Sequence, residues 1–111
     1  MTMTTDSKFE ADLRTLLDAE DIRGLAEHGA EGGWQGLTYY RETCALYQKH
    51  KEEIWEMLFE DAEDFGMTWP AMLDSFAGSK HVATVHGFEN LLVWYAAERT
   101  ARRIVDAEEA A

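Results

Sequence analysis

One cysteine, Cys44, and one proline, Pro70, are all that the 111 residues hold of either type. A lone thiol cannot form an internal disulfide, so the core must stand without covalent staples. No apolar run approaches the ~18 residues needed to cross a bilayer. No leader pattern of charged, apolar and small residues precedes the first polar helix, and a cytoplasmic protein is the expectation. Basic residues are scarce too: 10 Lys and Arg stand against 22 Asp and Glu, for a net charge of -12. A chain this negative is repelled by anionic lipid and by nucleic acid, which argues against direct binding to either. The same field attracts basic partners at low salt. Acidity also serves solubility and life in high salt, so charge alone does not select a function.

The hydrophobic content of 46% suffices for one core, and 12% aromatic residues set the chain apart from acidic disordered segments. Residues 1–6 lack periodicity and read as a flexible tail; 7–107 read as the folded domain. Ser7 and Glu10 are placed as a capping box for a first helix carrying Phe9, Leu13, Leu16 and Leu17, which ends near Asp18. Asp18 or Asp21 caps a short second helix through Ile22 and Leu25 that stops at His28, with Gly29 beyond its end. Gly29 to Gly36 holds four of the eight glycines. It reads as a tight connection pinned by Trp34 and not as a phosphate loop, because no Lys follows Gly36 and Glu31 would face the phosphates.

From Tyr40 to Phe65 one apolar face persists through Cys44, Tyr47, Ile54, Leu58 and Ala62, broken where Lys51 takes a core-phase position. The polar run Gln48-Lys49-His50-Lys51 predicts either one bent helix or two meeting there, ending at Gly66. Thr68 caps a short helix through Pro70, Leu73 and Phe76. A loop at Gly78-Ser79-Lys80 leads to a last helix starting near Thr84. Arg99, Arg102 and Arg103 lie towards its C-terminal end, where cations complement the helix dipole. No strand pattern competes, and the fold class is all-α: a compact, single-domain bundle of about five to six helices.

The densest feature is acidic. Between Glu52 and Asp64 stand seven carboxylates and no basic residue. At about 100° per residue from Ile54, the apolar residues Ile54, Trp55, Met57, Leu58, Phe59, Ala62 and Phe65 fill one side. Every acid except Asp61 falls in an arc about 120° wide on the other. Glu52, Glu53, Glu56, Glu60, Glu63 and Asp64 are therefore the candidate partner-binding residues. From Glu53 to Asp64 six acids, Asp61 included, span a rise of about 16 Å, or about one charge per 3 Å, against about 3.4 Å per phosphate in one DNA strand. Such a face could occupy a basic groove built for nucleic acid; it could equally be a solvated helix face.

Catalytic patterns are thin, and no enzyme is expected. None of His28, His50, His81 or His86 follows a Glu by three residues, so the Glu-x-x-His pairs of a helical di-metal site are missing. Glu52, Glu53 and Glu56 spell the E-E-x-x-E opening of MazG-type nucleotide pyrophosphohydrolases, but the second E-x-x-D element is absent at the usual distance. An EF-hand around Asp61 fails because Phe65 takes a ligand position. Cys44, between Tyr40 and Tyr47 on the apolar face, reads as a core thiol. His81 and His86 read as loop residues. Trp55, Trp69, Trp94, Tyr47 and Tyr95 read as core, while Trp34 and Tyr39 are candidate exposed anchors. No catalytic residue, metal site or cofactor is assigned.

At Gly36-Leu-Thr-Tyr-Tyr40, Glu53-Ile-Trp55 and Asn90-Leu-Leu-Val-Trp-Tyr-Ala-Ala-Glu98, followed by Ala101-Arg102, the chain resembles an uncharacterised family of small acidic helical proteins of bacteriophages and mobile elements. The resemblance spans roughly residues 27 to 104 and implies a shared fold more than a shared mechanism. Small acidic proteins of that origin are similar in kind to anti-CRISPR and other anti-defence inhibitors. The resemblance thus implies a non-enzymatic inhibitor in the host-cell cytoplasm. It would bind a basic nucleic-acid-handling protein, such as a CRISPR effector or nuclease, through a DNA-mimicking face. The alternative is a structural or accessory interaction module, acidic for solubility only. A magnesium-dependent nucleotide enzyme is the third reading.

Overall fold

The computed structural model describes residues 7–29, 40–77 and 88–110, and every element among them is a helix: α1 (Lys8–Leu16), α2 (Ala19–His28), α3 (Tyr40–Asp64), α4 (Trp69–Ala77) and α5 (Phe88–Ala110). The fold is an all-α single domain. The tail at 1–6, the glycine-rich connection with Trp34 and Tyr39, the loop with His81 and His86, and the expected helix start at Thr84 lie outside the described residues.

Local chemistry accounts for most boundaries. Ser7 caps α1, its Oγ accepting the Glu10 amide at 3.1 Å. The helix ends at Leu16, two residues before the expected end, because Leu17 turns extended and frees Asp18 to cap α2. The Asp18 carboxylate accepts the Asp21 amide at 2.8 Å. Gly29 (φ 63°) and Gly66 (φ 68°) take up the left-handed backbone that ends α2 and α3, a conformation in which a Cβ is strained. Thr68 Oγ1 accepts the Ala71 amide at 3.3 Å and starts α4, with Pro70 in the first turn, where its missing N–H costs nothing.

α3 bends where the polar run predicts: His50 leaves helical geometry (φ −126°, ψ 22°) while the helix continues on both sides. Lys51, which interrupts the apolar phase, is exposed just past this kink.

α5 is the hub and packs against each of the other four helices. From Leu91 to Ala97 every side chain is buried, as are Ala101, Ile104 and Val105. A helix apolar all round belongs inside a bundle. Phe9, Leu13 and Leu17 of the α1 segment, Ile22 and Leu25 of α2, Ile54 and Leu58 of α3 and Leu73 of α4 close over it in one continuous core.

Candidate functional site

Beyond the kink, α3 carries the acidic face. Glu52, Glu56, Glu63 and Asp64 are exposed and have no ion-pair or hydrogen-bond partner among the described residues. Two of the six expected contact residues are committed elsewhere. Glu53 turns to α1: its carboxylate accepts the Phe9 amide at 3.1 Å and also the Ser7 hydroxyl. Glu60 accepts from Arg99 Nη2 at 3.0 Å, although it remains 64% exposed. The open face is narrower than the helical wheel implies, because a helix lying between two neighbours uses the acids on its flanks to hold them.

Asp61, the one acid off the arc, faces α5. Arg99 Nε donates to both of its oxygens, at 3.1 and 3.0 Å, and the Tyr95 hydroxyl donates to Oδ2. Burial, and after it the hydrogen bond to Asp61, push the Tyr95 hydroxyl well above its ordinary value of 10.0. Arg102 pairs with the buried Glu98 one turn back, at 2.7 Å. Arg99 and Arg102 do not serve the helix terminus, as their place in the sequence suggests: α5 runs on to Ala110, and Arg99 pairs across to α3 while Arg102 pairs along α5. They line a cleft of about 430 Å³ between α3, α4 and α5, together with Asp61, Ser75 and Tyr95. Of its three arginines, Arg99 and Arg102 are matched by carboxylates, and Arg103 is exposed with no partner among the described residues.

At the kink, the buried His50 places Nε2 2.6 Å from Asp12 Oδ2, and Lys49 Nζ lies 3.0 Å from the same oxygen. An ionised carboxylate only accepts, so Nε2 carries the hydrogen. The hydrogen bonds from His50 and then from Lys49 hold the Asp12 carboxyl below its usual 3.8. The Phe9 ring meets His50 edge-on at 5.7 Å. The acidic face thus stands on a stretch of helix fixed to α1 through His50 and Glu53 and to α5 through Asp61.

Beside the acids lies a surface that reading the sequence missed. Trp55, Phe59, Trp69 and Phe88 form one cluster, with Trp55 touching the other three at centroid distances of 4.9 to 5.9 Å. Trp55 and Trp69 are half-buried, while Phe59 is 50% and Phe88 49% exposed. Phe65, also expected on the apolar side, is 70% exposed at the end of α3. The helical wheel did carry a signal. Trp55 and Phe59 fall at about 100° and 140°, on the shoulder next to Glu52 at about 160°. Cys44 is only half-buried, whereas Trp94 and Tyr95 are core as expected. With Glu53 turned away, the E-E-x-x-E acids do not converge; among the described residues no three His, Cys, Asp or Glu side chains gather as a metal site.

A family profile described as a domain of unknown function, DUF7222, matches residues 4–110. No curated protein and no solved structure matches the chain.

Proposed function

The chain belongs to the DUF7222 family, and from that footing we propose that it is a non-catalytic binding protein. Its acidic α3 face takes a basic surface of a nucleic-acid-handling partner in an anti-defence role, in the manner of an anti-CRISPR inhibitor. One observation carries the reading: Glu52, Glu56, Glu63 and Asp64 project from one rigid stretch of helix with no cation among the described residues to meet them. Like charges gathered this way repel one another, and an incoming cationic surface relieves that repulsion. With Glu53 and Glu60 engaged, Glu52, Glu56, Glu63 and Asp64 are spread over about 18 Å of axis, about one per 6 Å. That spacing is wider than the phosphates of one strand, at about 3.4 Å. The face suits Lys and Arg side chains, which adjust their reach, better than a groove that demands phosphate register.

The test is capture from a CRISPR-bearing bacterial lysate at low and then moderate salt, using the wild-type chain and the variant Glu52→Lys, Glu56→Lys, Glu63→Lys. The expected result is a nucleic-acid-binding complex that is retained by the wild type, displaced by added DNA, released as salt rises, and missed by a variant of unchanged helicity. Equal capture by the variant would sink the proposal. The half-exposed rings beside the acids favour a second reading, an accessory interaction module of a phage or mobile element. In that case capture would be insensitive to salt and to DNA.

A further inference from the structure

The four rings and the acids beside them belong to one surface. Phe59 lies one helical turn from Glu56 and from Glu63, and Trp55 one turn from Glu52, spacings that put side chains side by side on a helix. The rings bring no unmet polar group to this surface from Trp55, whose Nε1 donates to the Tyr47 hydroxyl at 3.2 Å. What faces outward is therefore apolar and π-rich, bordered by carboxylates that have no partner among the described residues. The half-exposed Phe59 and Phe88 leave apolar area that the described residues do not cover.

We propose that this surface docks an amphipathic basic segment of a partner protein. An apolar side chain would seat on Trp55, Phe59, Trp69 and Phe88, and flanking Lys or Arg residues would reach Glu52, Glu56 and Glu63. This rests on the reading of the α3 face as a site for basic partners and adds the chemistry of the contact. Charge selects the occupant. A second copy of this chain would set one acid row against another at a net charge of -12 each, and anionic lipid is repelled for the same reason. A neutral apolar segment would lower the local dielectric around three carboxylates without compensating them. A cationic segment compensates them, and its cations also gain from the ring faces. Aromatic anchors ringed by charge are the usual form of an energetically concentrated contact.

The test uses the whole chain and three synthetic peptides: an amphipathic helix of Leu and Lys, an oligo-lysine of equal charge, and the Leu helix with Glu in place of Lys. Binding is read by calorimetry and by tryptophan fluorescence. The Leu/Lys peptide is expected to bind at least about tenfold tighter than oligo-lysine, and the double variant Phe59→Ala, Phe88→Ala to erase that difference. Glu56→Gln with Glu63→Gln is expected to weaken both cationic peptides. If the ring variant binds the Leu/Lys peptide unchanged, or oligo-lysine binds as tightly, ring docking is overturned while the acidic face stands. Comparable binding of the Leu/Glu peptide overturns the basic occupant. If neither cationic peptide binds, or both ignore loss of the acids, the underlying reading falls as well. Should the double variant lose helicity, Phe59→Ala alone repeats the comparison, because Phe59 lies on the exposed helix surface.

Discussion

The carboxylate of Glu53 in α3 caps α1, accepting the amide of Phe9 at 3.1 Å across 44 residues of sequence. The first amides of a helix have no partner within it, and here one is met from another element. Glu53→Ala is expected to lower stability by about 1 kcal/mol, while Glu56→Ala, three residues on and exposed, changes it by less than about 0.5 kcal/mol. Urea midpoints of the two variants check this. Partner capture should show the opposite order, surviving Glu53→Gln and weakening with Glu56→Gln.

Asp12 makes the docking of α1 sensitive to acid. Its carboxyl is held below 3.8 in the folded chain by His50 first and Lys49 second. A depressed carboxyl contributes stability that is complete above its unfolded value and is lost as pH falls through the folded one. Stability should therefore decline below about pH 4, with Asp12→Asn flattening the decline and lowering stability near neutrality. Thermal unfolding from pH 3 to pH 7 measures both effects; parallel curves for variant and wild type would remove Asp12 from the account.

Tyr95 acts at the other end of the scale. Its hydroxyl is raised above 10.0 by burial and by Asp61, so its contribution is complete below that pH and is lost as pH climbs towards the folded value. Tyr95 should resist ionisation in a spectrophotometric titration until the fold gives way. In Tyr95→Phe that resistant component should be gone.

Arg99 holds Asp61 through two hydrogen bonds from Nε, and both side chains are about one-fifth exposed. Arg99→Met leaves a partly buried carboxylate without its cation and is expected to cost about 1–3 kcal/mol. Adding Asp61→Asn should recover part of that loss, since the stranded charge is then gone. Additive losses in the double-variant cycle would mean that the two side chains do not act as a pair.

Capping and glycine chemistry was legible from residue types alone. Ser7, Asp18, Gly29, Gly66 and Thr68 each perform the local task their type and place imply. The bend at residues 48–51 was legible as a polar interruption of an apolar stripe. Its cause was not: His50 is drawn inward by Asp12, 38 residues away, and one sequence does not say which helices meet. The same blindness hid the withdrawal of Glu53 and Glu60 from the acidic face. Asp61 was the exception, because its angle on the wheel already separated it from the other acids. Phe59 and Phe65 lie on the apolar side of the wheel and are still 50% and 70% exposed, because a wheel gives a side chain's direction and is silent on whether a neighbouring helix arrives to cover it.

The position of α5 in chain order bears on how the molecule assembles during synthesis. The helix that the other described helices all pack against is the last of them in chain order, and its buried positions extend to Val105. Until that residue has left the ribosome, Phe9, Leu13, Leu25, Ile54 and Leu58 have no completed surface on which to close. α1, α2 and α4, at 9, 10 and 9 residues, hold little structure of their own in water. The chain should therefore stay open to proteases until α5 is available to it and become resistant in a single step once it is.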